Sequence, residues 1–237
     1  MRFALIGHPV AGSLSPHLIS AAYDGRHSYD LLDFERFDDA WEAFVEGYDG
    51  INVTAPFKQD AFARVDELSP RAQATGAVNL VVPCEKGYKG YNTDVDGVML
   101  ALEGLPGIPG EALVVGTGGA ARAAVHAARL LGCRVTVTGR SLEKAAALGC
   151  EALSFADAAA LRPDVVIYTL PGRAPVPEGL PLADAVVLEA EYRIPQLTDI
   201  PCRRYVSGRQ WMLGQAVAGY RIFTGEEPSL EKMLKVL

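Results

Sequence analysis

A lysine and an aspartate in the first half of the chain have the chemistry to move a proton. Lys58 lies in the first turn of a predicted helix, where the helix dipole disfavours a cation. Asp94 ends the stretch YNTD, close to the start of another predicted helix. If the two side chains face each other, they can hold a hydroxyl group and transfer its proton while a hydride leaves the same carbon. Considered singly, each residue is explained more simply, as a surface lysine and as a helix cap.

Hydroxyl and amide side chains near predicted strand ends suit a ligand with several hydroxyl groups. The stretch SLSP carries Ser13 and Ser15, which point to the same side if the backbone is extended. Ser15 before Pro16 also predicts a helix start with Ser15 as the N-cap. Thr54 and Asn79 lie close to predicted strand ends. Ligands of open α/β sheets bind beyond the carboxyl ends of strands, so these side chains are candidate ligand contacts.

The stretch VVGTGGAARA, residues 114–123, has the order strand, glycine turn, helix. It matches the G-x-G-x-x-G/A fingerprint of dinucleotide-binding proteins, with one additional glycine. The glycines permit a tight turn and a close approach to a pyrophosphate, which the helix N-terminus stabilises. Glycine turns also join strands to helices without any ligand, so the βαβ context of residues 111–138 is what favours a cofactor. The expected cofactor contacts are Gly116, Thr117, Gly118, Gly119, Ala120 and Ala121.

The end of the following strand distinguishes between the two nicotinamide cofactors. NAD-binding proteins usually place Asp or Glu there, to accept a hydrogen bond from the ribose 2′-hydroxyl. This strand ends VTVTGRS, so the position holds Gly139, Arg140 and Ser141 and no acid. An arginine and a hydroxyl suit a 2′-phosphate, so the sequence predicts NADP, with Lys144 one helical turn on as a further contact. A solvated surface arginine is the competing interpretation.

Short apolar segments alternate with amphipathic segments along the chain, which predicts an α/β fold with mostly parallel strands. The loop-like stretch PGIPG, residues 106–110, separates two such series. We therefore expect two α/β domains, residues 1–98 and 99–207, followed by a helical tail. The predicted strands are 2–6, 29–34, 50–54, 76–82, 89–92, 111–116, 133–139, 164–170 and 185–192. Of these, 76–82 and 89–92 are expected to form a strand pair around the turn CEKG. The predicted helices begin at Pro16 and cover 39–48, 56–65, 93–105, 118–132, 141–149, 208–225 and 228–237.

The composition argues against several classes of protein. Of the 237 residues 49% are hydrophobic and 22% are charged, which is typical of a soluble globular protein. The formal net charge of −7, without any cluster of Lys and Arg, argues against nucleic-acid binding. The four cysteines and four histidines show no metal or disulfide spacing, and no apolar run suits a signal peptide or a membrane span. We expect reduced, mostly buried thiols, no metal, and a cytoplasmic location.

Six segments of the chain, in order, resemble the motif series of the shikimate dehydrogenases: SLSP, NVTAPFK, GAVN, YNTD, GTGGAARA and GRQWMLGQ. The resemblance covers nearly the whole chain, and six ordered motifs are far more specific than any one of them. It implies a reversible, NADP-dependent reduction of 3-dehydroshikimate to shikimate, a step towards the aromatic amino acids. It also implies an N-terminal substrate-binding domain and a Rossmann-like NADP-binding domain.

The resemblance assigns roles to residues at the matching positions. Lys58 and Asp94 correspond to the catalytic pair, and Ser13 and Ser15 to contacts of the substrate carboxylate. The C-terminal helices are expected to pack back on the first domain, so that 1–98 is completed by 208–237, with 99–207 as the NADP-binding domain. The substrate contacts implied in full are Ser13, Ser15, Thr54, Asn79, Asp94, Tyr192 and Gln215, and Ala190 and Gly208 are implied to approach the nicotinamide.

Three segments and one single residue depart from the family pattern. GRS stands where N-R-T is usual, GTGGAA replaces GAGGAA, and YTLPG (168–172) replaces an N-A-T-P segment. Trp211 replaces a smaller apolar residue one turn before Gln215. These changes bear on affinity and on secondary activities rather than on the class of protein.

Three alternatives share much of this pattern. A quinate dehydrogenase, or an enzyme that accepts both acids, would carry almost every motif. A non-catalytic sensor could use the same scaffold, although Lys58 and Asp94 and the lack of a DNA-binding segment argue against one. An NADP-dependent enzyme of folate metabolism has a similar two-domain layout, but the serine pair favours a polyhydroxy acid. The expected partner is a small molecule, and the chain is expected to be a monomer or a homodimer.

Overall fold

The computed structural model describes all 237 residues, and the chain forms two compact units. The first unit comprises 1–93 and 215–237, and the second comprises 94–214. Each unit is built on a six-stranded sheet with helices packed against it, so the predicted α/β fold is confirmed. The assignment of 1–98 with 208–237 to substrate binding and of 99–207 to cofactor binding stays a prediction. No helix has both the length and the apolar character needed to cross a membrane.

Twelve strands and ten helices are numbered in chain order. The strands are β1 (Arg2–Gly7), β2 (Ser28–Asp33), β3 (Gly50–Val53), β4 (Glu67–Leu68), β5 (Leu80–Cys84), β6 (Gly87–Tyr91), β7 (Glu111–Val115), β8 (Arg134–Thr138), β9 (Glu151–Leu153), β10 (Val165–Tyr168), β11 (Val186–Glu189) and β12 (Arg204–Val206). The helices are α1 (Ser15–Ala22), α2 (Phe37–Gly47), α3 (Lys58–Arg64), α4 (Pro70–Thr75), α5 (Asp94–Leu102), α6 (Gly119–Leu130), α7 (Leu142–Ala146), α8 (Phe155–Ala158), α9 (Gly208–Thr224) and α10 (Leu230–Leu234).

The sheet of the first unit has the order β2-β1-β3-β5-β6-β4. β1 is parallel to both β2 and β3, whereas β5 is antiparallel to β3 and to β6. The predicted strand pair around CEKG is therefore a hairpin, in which Cys84 pairs with Gly87. On one side the core includes Trp41, Phe44 and Ile51, all buried.

The sheet of the second unit is parallel throughout, with the order β12-β11-β10-β7-β8-β9. Its central strands are completely buried, as expected for a parallel sheet covered on both faces. The helix α6 presents a run of small alanines to this core, which lets the helix lie close to the sheet. Trp211 is buried in the same cluster.

Several short elements of the structure are not predicted by the sequence. The helix predicted over 56–65 begins only at Lys58, because residues 54–57 form a turn in which Phe57 N–H donates to the Thr54 carbonyl. The helix α4 begins with Pro70 after a Ser69 N-cap, and β4, β9 and β12 have only two or three residues. Such short segments show too little periodicity to be recognised from the sequence.

The cysteines are less buried than expected. All four are free thiols, but only Cys133 is buried, and Cys84, Cys150 and Cys202 are partly exposed.

Candidate active site

The sheet of the first unit brings several strand ends to one edge. The parallel strands β1 and β3 both end there, and the antiparallel pairing of β5 places its first residues opposite Asn52. The loop before β5 is fixed by two backbone bonds, from Val53 N–H to the Asn79 carbonyl and from Asn79 N–H to the Tyr91 carbonyl. The predicted substrate residues of this unit therefore come after β1, after β3, directly before β5, or on the helix that packs over this edge. Ligands of α/β sheets bind at such an edge.

The two serine hydroxyls of SLSP lie within hydrogen-bond distance of each other, but the backbone between them is not extended, because Leu14 is helical with φ −80° and ψ −9°. Ser13 Oγ donates to Ser15 Oγ at 3.1 Å, and Ser15 N–H donates to Ser13 Oγ at 3.3 Å. The prediction that Ser15 caps the helix is wrong, because α1 begins at Ser15 itself and no side chain caps it from Leu14. Ser13 instead holds the first helical N–H, which leaves the buried Ser15 hydroxyl outside the capping role.

Thr54 and Lys58 follow β3 on a turn that is closely packed. Thr54 N–H donates to the Ile6 carbonyl, and a Cβ on Gly7 would lie only 2.3 Å from Thr54 Cγ2. Only glycine at position 7 therefore lets Thr54 occupy this place. Lys58 is the first residue of α3, and its carbonyl accepts from Val78 N–H at 2.9 Å. The backbone of Lys58 is thus tied to the residue that precedes Asn79.

Asn79 is the centre of a buried hydrogen-bond network. Its Oδ1 accepts from Thr93 N–H at 2.8 Å, and its Nδ2 donates to Thr93 Oγ1 at 3.2 Å. Its carbonyl accepts from Asn52 Nδ2 at 3.2 Å, and Asn52 Oδ1 accepts from Tyr29 Oη at 2.7 Å. Asn79 thereby fixes the backbone of Thr93, the residue directly before Asp94.

The second half of α9 packs over the same part of the first unit. A Cβ on Gly219 would lie 3.0 Å from Leu80 Cδ1 and 3.8 Å from Thr93 Oγ1. Gln215 lies one helical turn earlier and therefore on the same face of the helix. Tyr220 Oη donates to the Ser15 carbonyl at 3.1 Å, and burial raises the pKa of Tyr220 far above its ordinary value, so this group remains a donor.

Two of the predicted substrate residues belong to the second unit. Asp94 is the first residue of α5 and is buried, with 5% of its surface exposed. Tyr192 is partly buried in the loop that follows β11. The structure leaves their predicted roles, catalysis and substrate binding, as proposals.

The predicted glycine turn joins β7 to α6 in the second unit. Gly116 has a φ of +122°, and a Cβ there would lie 2.3 Å from Thr169 Oγ1, so both conformation and packing require glycine. Gly118 is the N-cap of α6, no side chain caps this helix, and a Cβ on Gly118 would meet no protein atom within 4 Å. The turn therefore leaves open space at the N-terminus of a twelve-residue helix.

The end of β8 carries the predicted 2′-phosphate contacts. A Cβ on Gly139 would lie 2.9 Å from Thr117 Cγ2, so this glycine brings β8 close to the glycine turn. Arg140 is exposed, and Ser141 caps α7 by accepting from Lys144 N–H at 3.3 Å. Ser141 thus has a structural role that the sequence analysis did not assign, while the Arg140 side chain extends into solvent.

The residues implied to approach the nicotinamide lie next to each other. A Cβ on Gly208 would lie 2.4 Å from the Ala190 carbonyl oxygen and 2.6 Å from that of Glu189. Gly208, the first residue of α9, is thus in direct contact with the end of β11. Only glycine permits this approach without a shift of the backbone.

The second unit fits a dinucleotide at the carboxyl edge of its sheet. An uncapped helix N-terminus beside an open glycine position suits a pyrophosphate. The hydroxyl of Thr138, the last residue of β8, is completely buried and has no hydrogen-bond partner in the protein. A buried orphan hydroxyl is uncommon, and it lies next to the predicted cofactor residues Gly139 and Arg140.

Asn52, within NVTAPFK, is a residue of the site that the sequence analysis does not predict, although it connects Tyr29 to Asn79. The feature of the sequence that points to Asn52 is its position near a strand end, two residues before Thr54. An amide at that place is unexpected in a buried strand and could have been selected on that ground.

A family model described as the substrate binding domain of shikimate dehydrogenase matches residues 5–81. The chain is 35% identical over 259 residues to the NADP(+)-dependent shikimate dehydrogenase of Natronomonas pharaonis, covering 99% of this chain and 97% of that relative. It is 40% identical over 164 residues to the corresponding enzyme of Thermus thermophilus, and this alignment spans 64% of the chain but only 60% of that relative.

Two solved structures have the same fold over the whole chain. The Thermus thermophilus shikimate 5-dehydrogenase in complex with NADP(H) and shikimate has a TM-score of 0.86 at 31% identity, covering 100% of this chain and 98% of that one. A quinate dehydrogenase from Corynebacterium glutamicum in complex with NAD has a TM-score of 0.84 at 26% identity, covering 100% and 98%.

Fold and site together define a two-unit α/β protein with a Rossmann-type dinucleotide-binding unit. Within that class, the identity of more than 30% over almost the full length of the Natronomonas relative decides the family. The chain belongs to the shikimate dehydrogenase family.

Proposed function

We propose that this protein catalyses the reversible, NADP-dependent reduction of 3-dehydroshikimate to shikimate, a step towards the aromatic amino acids. The observation that carries the proposal is the arrangement at the first sheet edge. Three features lie next to strand ends there. The hydrogen-bonded serine pair follows β1, the turn from Thr54 to Lys58 follows β3, and the hydrogen-bond network of Asn79 lies directly before β5. These are the positions at which the chain matches the family motifs.

We assign the substrate-binding site to the first unit. Ser13 and Ser15 share a hydrogen bond and offer two adjacent hydroxyl groups, which suit the two oxygens of a carboxylate. Thr54, Asn79 and Gln215 are proposed to contact the ring hydroxyls, and Tyr192 is proposed as a further substrate contact.

Proton transfer is assigned to Lys58 and Asp94. When bound, NADP supplies or accepts the hydride. Lys58 and Asp94 would hold the oxygen on the reacting carbon and move its proton, and such acid–base help contributes about 10²–10⁴ in rate. Both residues stand at the first position of a helix, and the Asn79 network anchors the residue before Asp94.

Cofactor binding is assigned to the second unit. The amides at the start of α6 would hold the pyrophosphate, with Gly118 leaving room for it. Arg140 would pair with the 2′-phosphate in the bidentate manner typical of arginine, and Lys144 would add charge. Ala190 and Gly208 would line the nicotinamide end.

A cytoplasmic location is part of the same proposal. The four free thiols support it, because extracellular domains usually oxidise their cysteines to disulfides.

The test is the formation of NADPH absorbance by the purified protein with shikimate and NADP⁺. Parallel reactions contain quinate in place of shikimate, and NAD⁺ in place of NADP⁺. Turnover with shikimate and NADP⁺ alone is the expected result. Turnover only with quinate would reject the substrate assignment, and no turnover in any reaction, from protein that binds shikimate, would favour a non-catalytic sensor.

Quinate oxidation is the second candidate, and the likeness to the quinate dehydrogenase structure favours it as the runner-up. Quinate differs by one hydroxyl at the carbon that carries the carboxylate, so the space beside Ser13, Ser15 and Tyr192 decides between the two acids. Position 140 holds an arginine and not an acidic residue. This argues against NAD, which is bound in the structure of that quinate dehydrogenase, as the cofactor.

A further inference from the structure

The second unit contains a fully buried carboxyl group that the proposed mechanism does not use. Glu189 is the last residue of β11, and its exposed surface is 0%. Glutamate is almost never fully buried unless its oxygens are paired, because loss of hydration is costly. Its partners therefore indicate what the residue is for.

The carboxyl group of Glu189 closes the loop that follows its own strand. Gln196 N–H donates to Oε1 at 2.7 Å, and Leu197 N–H donates to Oε2 at 3.2 Å. The six residues in between, 190–195, form a loop held at both ends by one side chain. This loop carries Ala190 and Tyr192.

The same carboxyl group also holds the strand that leads to α9. Tyr205 Oη, on β12, donates to Glu189 Oε2 at 2.9 Å. Burial first, and then this bond to Glu189, raise the pKa of Tyr205 well above its ordinary value, so the hydroxyl keeps its proton and remains a donor. Tyr205 lies three residues before Gly208, which contacts the Ala190 carbonyl.

A second set of contacts supports the loop from outside. Gln196 Nε2 donates to the Ala174 carbonyl at 2.8 Å, and a Cβ on Gly172 would lie 2.3 Å from the Ile194 carbonyl oxygen. The 171–174 segment thus packs directly on the loop. The Glu189 carboxyl group, in addition, binds both the loop and β12.

We propose that Glu189 is a positioning residue for hydride transfer: its buried carboxyl group fixes Ala190 and Tyr192 on one side and Gly208 on the other. The proposal rests on the proposed function, because these three residues matter in this way only if they surround the reacting end of the cofactor and the substrate. Glu189 itself touches neither.

The decisive variant is Glu189→Gln, which keeps the size of the side chain and replaces one acceptor oxygen by an NH₂ donor. All three partners of Glu189 are donors, so at least one of them then faces a donor. The matched control is Glu111→Gln. Glu111 lies in the same unit at the opposite edge of the sheet, where it pairs with Arg134 on the surface.

Three quantities are measured on the full-length wild type and both variants: turnover of shikimate, and the dissociation constants of NADPH and of 2′,5′-ADP by calorimetry. The adenosine fragment reports on the glycine turn and Arg140, which lie on other strands.

In Glu189→Gln we expect kcat to fall about tenfold or more, the scale of one lost hydrogen bond to a charged group. We expect 2′,5′-ADP affinity to stay within about twofold, and the advantage of NADPH over 2′,5′-ADP to shrink. Glu111→Gln should change none of the three.

Wild-type kcat in Glu189→Gln would overturn the proposal, and so would a loss of 2′,5′-ADP affinity equal to the loss of turnover, because that pattern means general damage to the unit. If Glu189→Gln does not fold, Tyr205→Phe removes a single donor, and a kcat and NADPH affinity identical to wild type would overturn the proposal.

A wild type without shikimate turnover would reject the proposed function instead. The positioning role is then decided by the NADPH to 2′,5′-ADP affinity ratio alone, and an unchanged ratio in Glu189→Gln would overturn it.

Discussion

Substitutions in the glycine turn are predicted to have different effects on protein stability and on cofactor affinity. Gly118→Ala adds a methyl group where no protein atom lies within 4 Å, on a backbone with a φ of −85° that alanine adopts freely. Alanine is a poorer N-cap than glycine, and N-cap changes cost about 0.5–2 kcal/mol, so we expect a destabilisation near the lower end. The space taken by the methyl group is the space proposed for the pyrophosphate. Displacing the phosphates by an ångström removes at least one hydrogen bond to a charged group, worth about 1.5–3 kcal/mol.

That free energy corresponds to a loss of NADP affinity of about ten- to a hundredfold, at 1.4 kcal/mol per factor of ten. Gly116→Ala is the matched control with the opposite expectation. There the φ of +122° and the 2.3 Å approach to Thr169 Oγ1 predict a destabilisation of about 1–3 kcal/mol before any ligand is added. Thermal unfolding and calorimetric titration with NADP⁺ measure both effects. An alanine at position 118 that leaves NADP⁺ affinity unchanged would refute the assignment of this turn to the pyrophosphate.

Three further predictions concern the cofactor, the buried network and the pH dependence of stability. Arg140→Ala should weaken NADP⁺ binding about tenfold or more and leave NAD⁺ binding unchanged, which titration with both cofactors checks; an equal loss for both would contradict the 2′-phosphate assignment. Asn79→Ala leaves Thr93 N–H buried without its acceptor, so we expect the free energy of unfolding to fall by about 1–3 kcal/mol in urea titrations, and wild-type stability would show that the network is not needed. His27 has a pKa lowered below its ordinary 6.5, mainly by burial and then by the N-terminal ammonium group. Below pH 6.5 the unfolded chain then binds more protons, so stability should fall as the pH drops; His27→Phe should flatten this slope in melting temperatures from pH 7 to pH 5, and an unchanged slope would exclude His27 as its source.

Local patterns in the sequence predict the elements that position the site, because each element has its own periodicity or its own turn residues. The βαβ segment from 111 to 138 has the expected order, and the CEKG hairpin has the expected pairing. The hydroxyls of Ser13 and Ser15 are close together, but the expected extended backbone between them is wrong, since Leu14 is helical.

Contacts between residues far apart in the chain could not be predicted in this way. Thr93 meets Asn79 across 14 residues, and Tyr205 meets Glu189 across 16. Which polar groups pair depends on the pairing of β5 with β6 and of β11 with β12, and this pairing places the groups side by side only after folding. The prediction of Ser15 as the N-cap is wrong for a local reason instead. The helix begins one residue earlier than the capping rule requires, because the Ser13 hydroxyl already accepts from the Ser15 N–H.

We propose that Lys58 moves a proton during the oxidation of shikimate with NADP⁺. The most direct measurement compares kcat, and the affinity for shikimate by calorimetry, between the wild type and Lys58→Ala. The expected loss of kcat is about 10²–10⁴, with a much smaller change in KM and in shikimate affinity. A Lys58→Ala variant that turns over shikimate at the wild-type rate would contradict this role of Lys58.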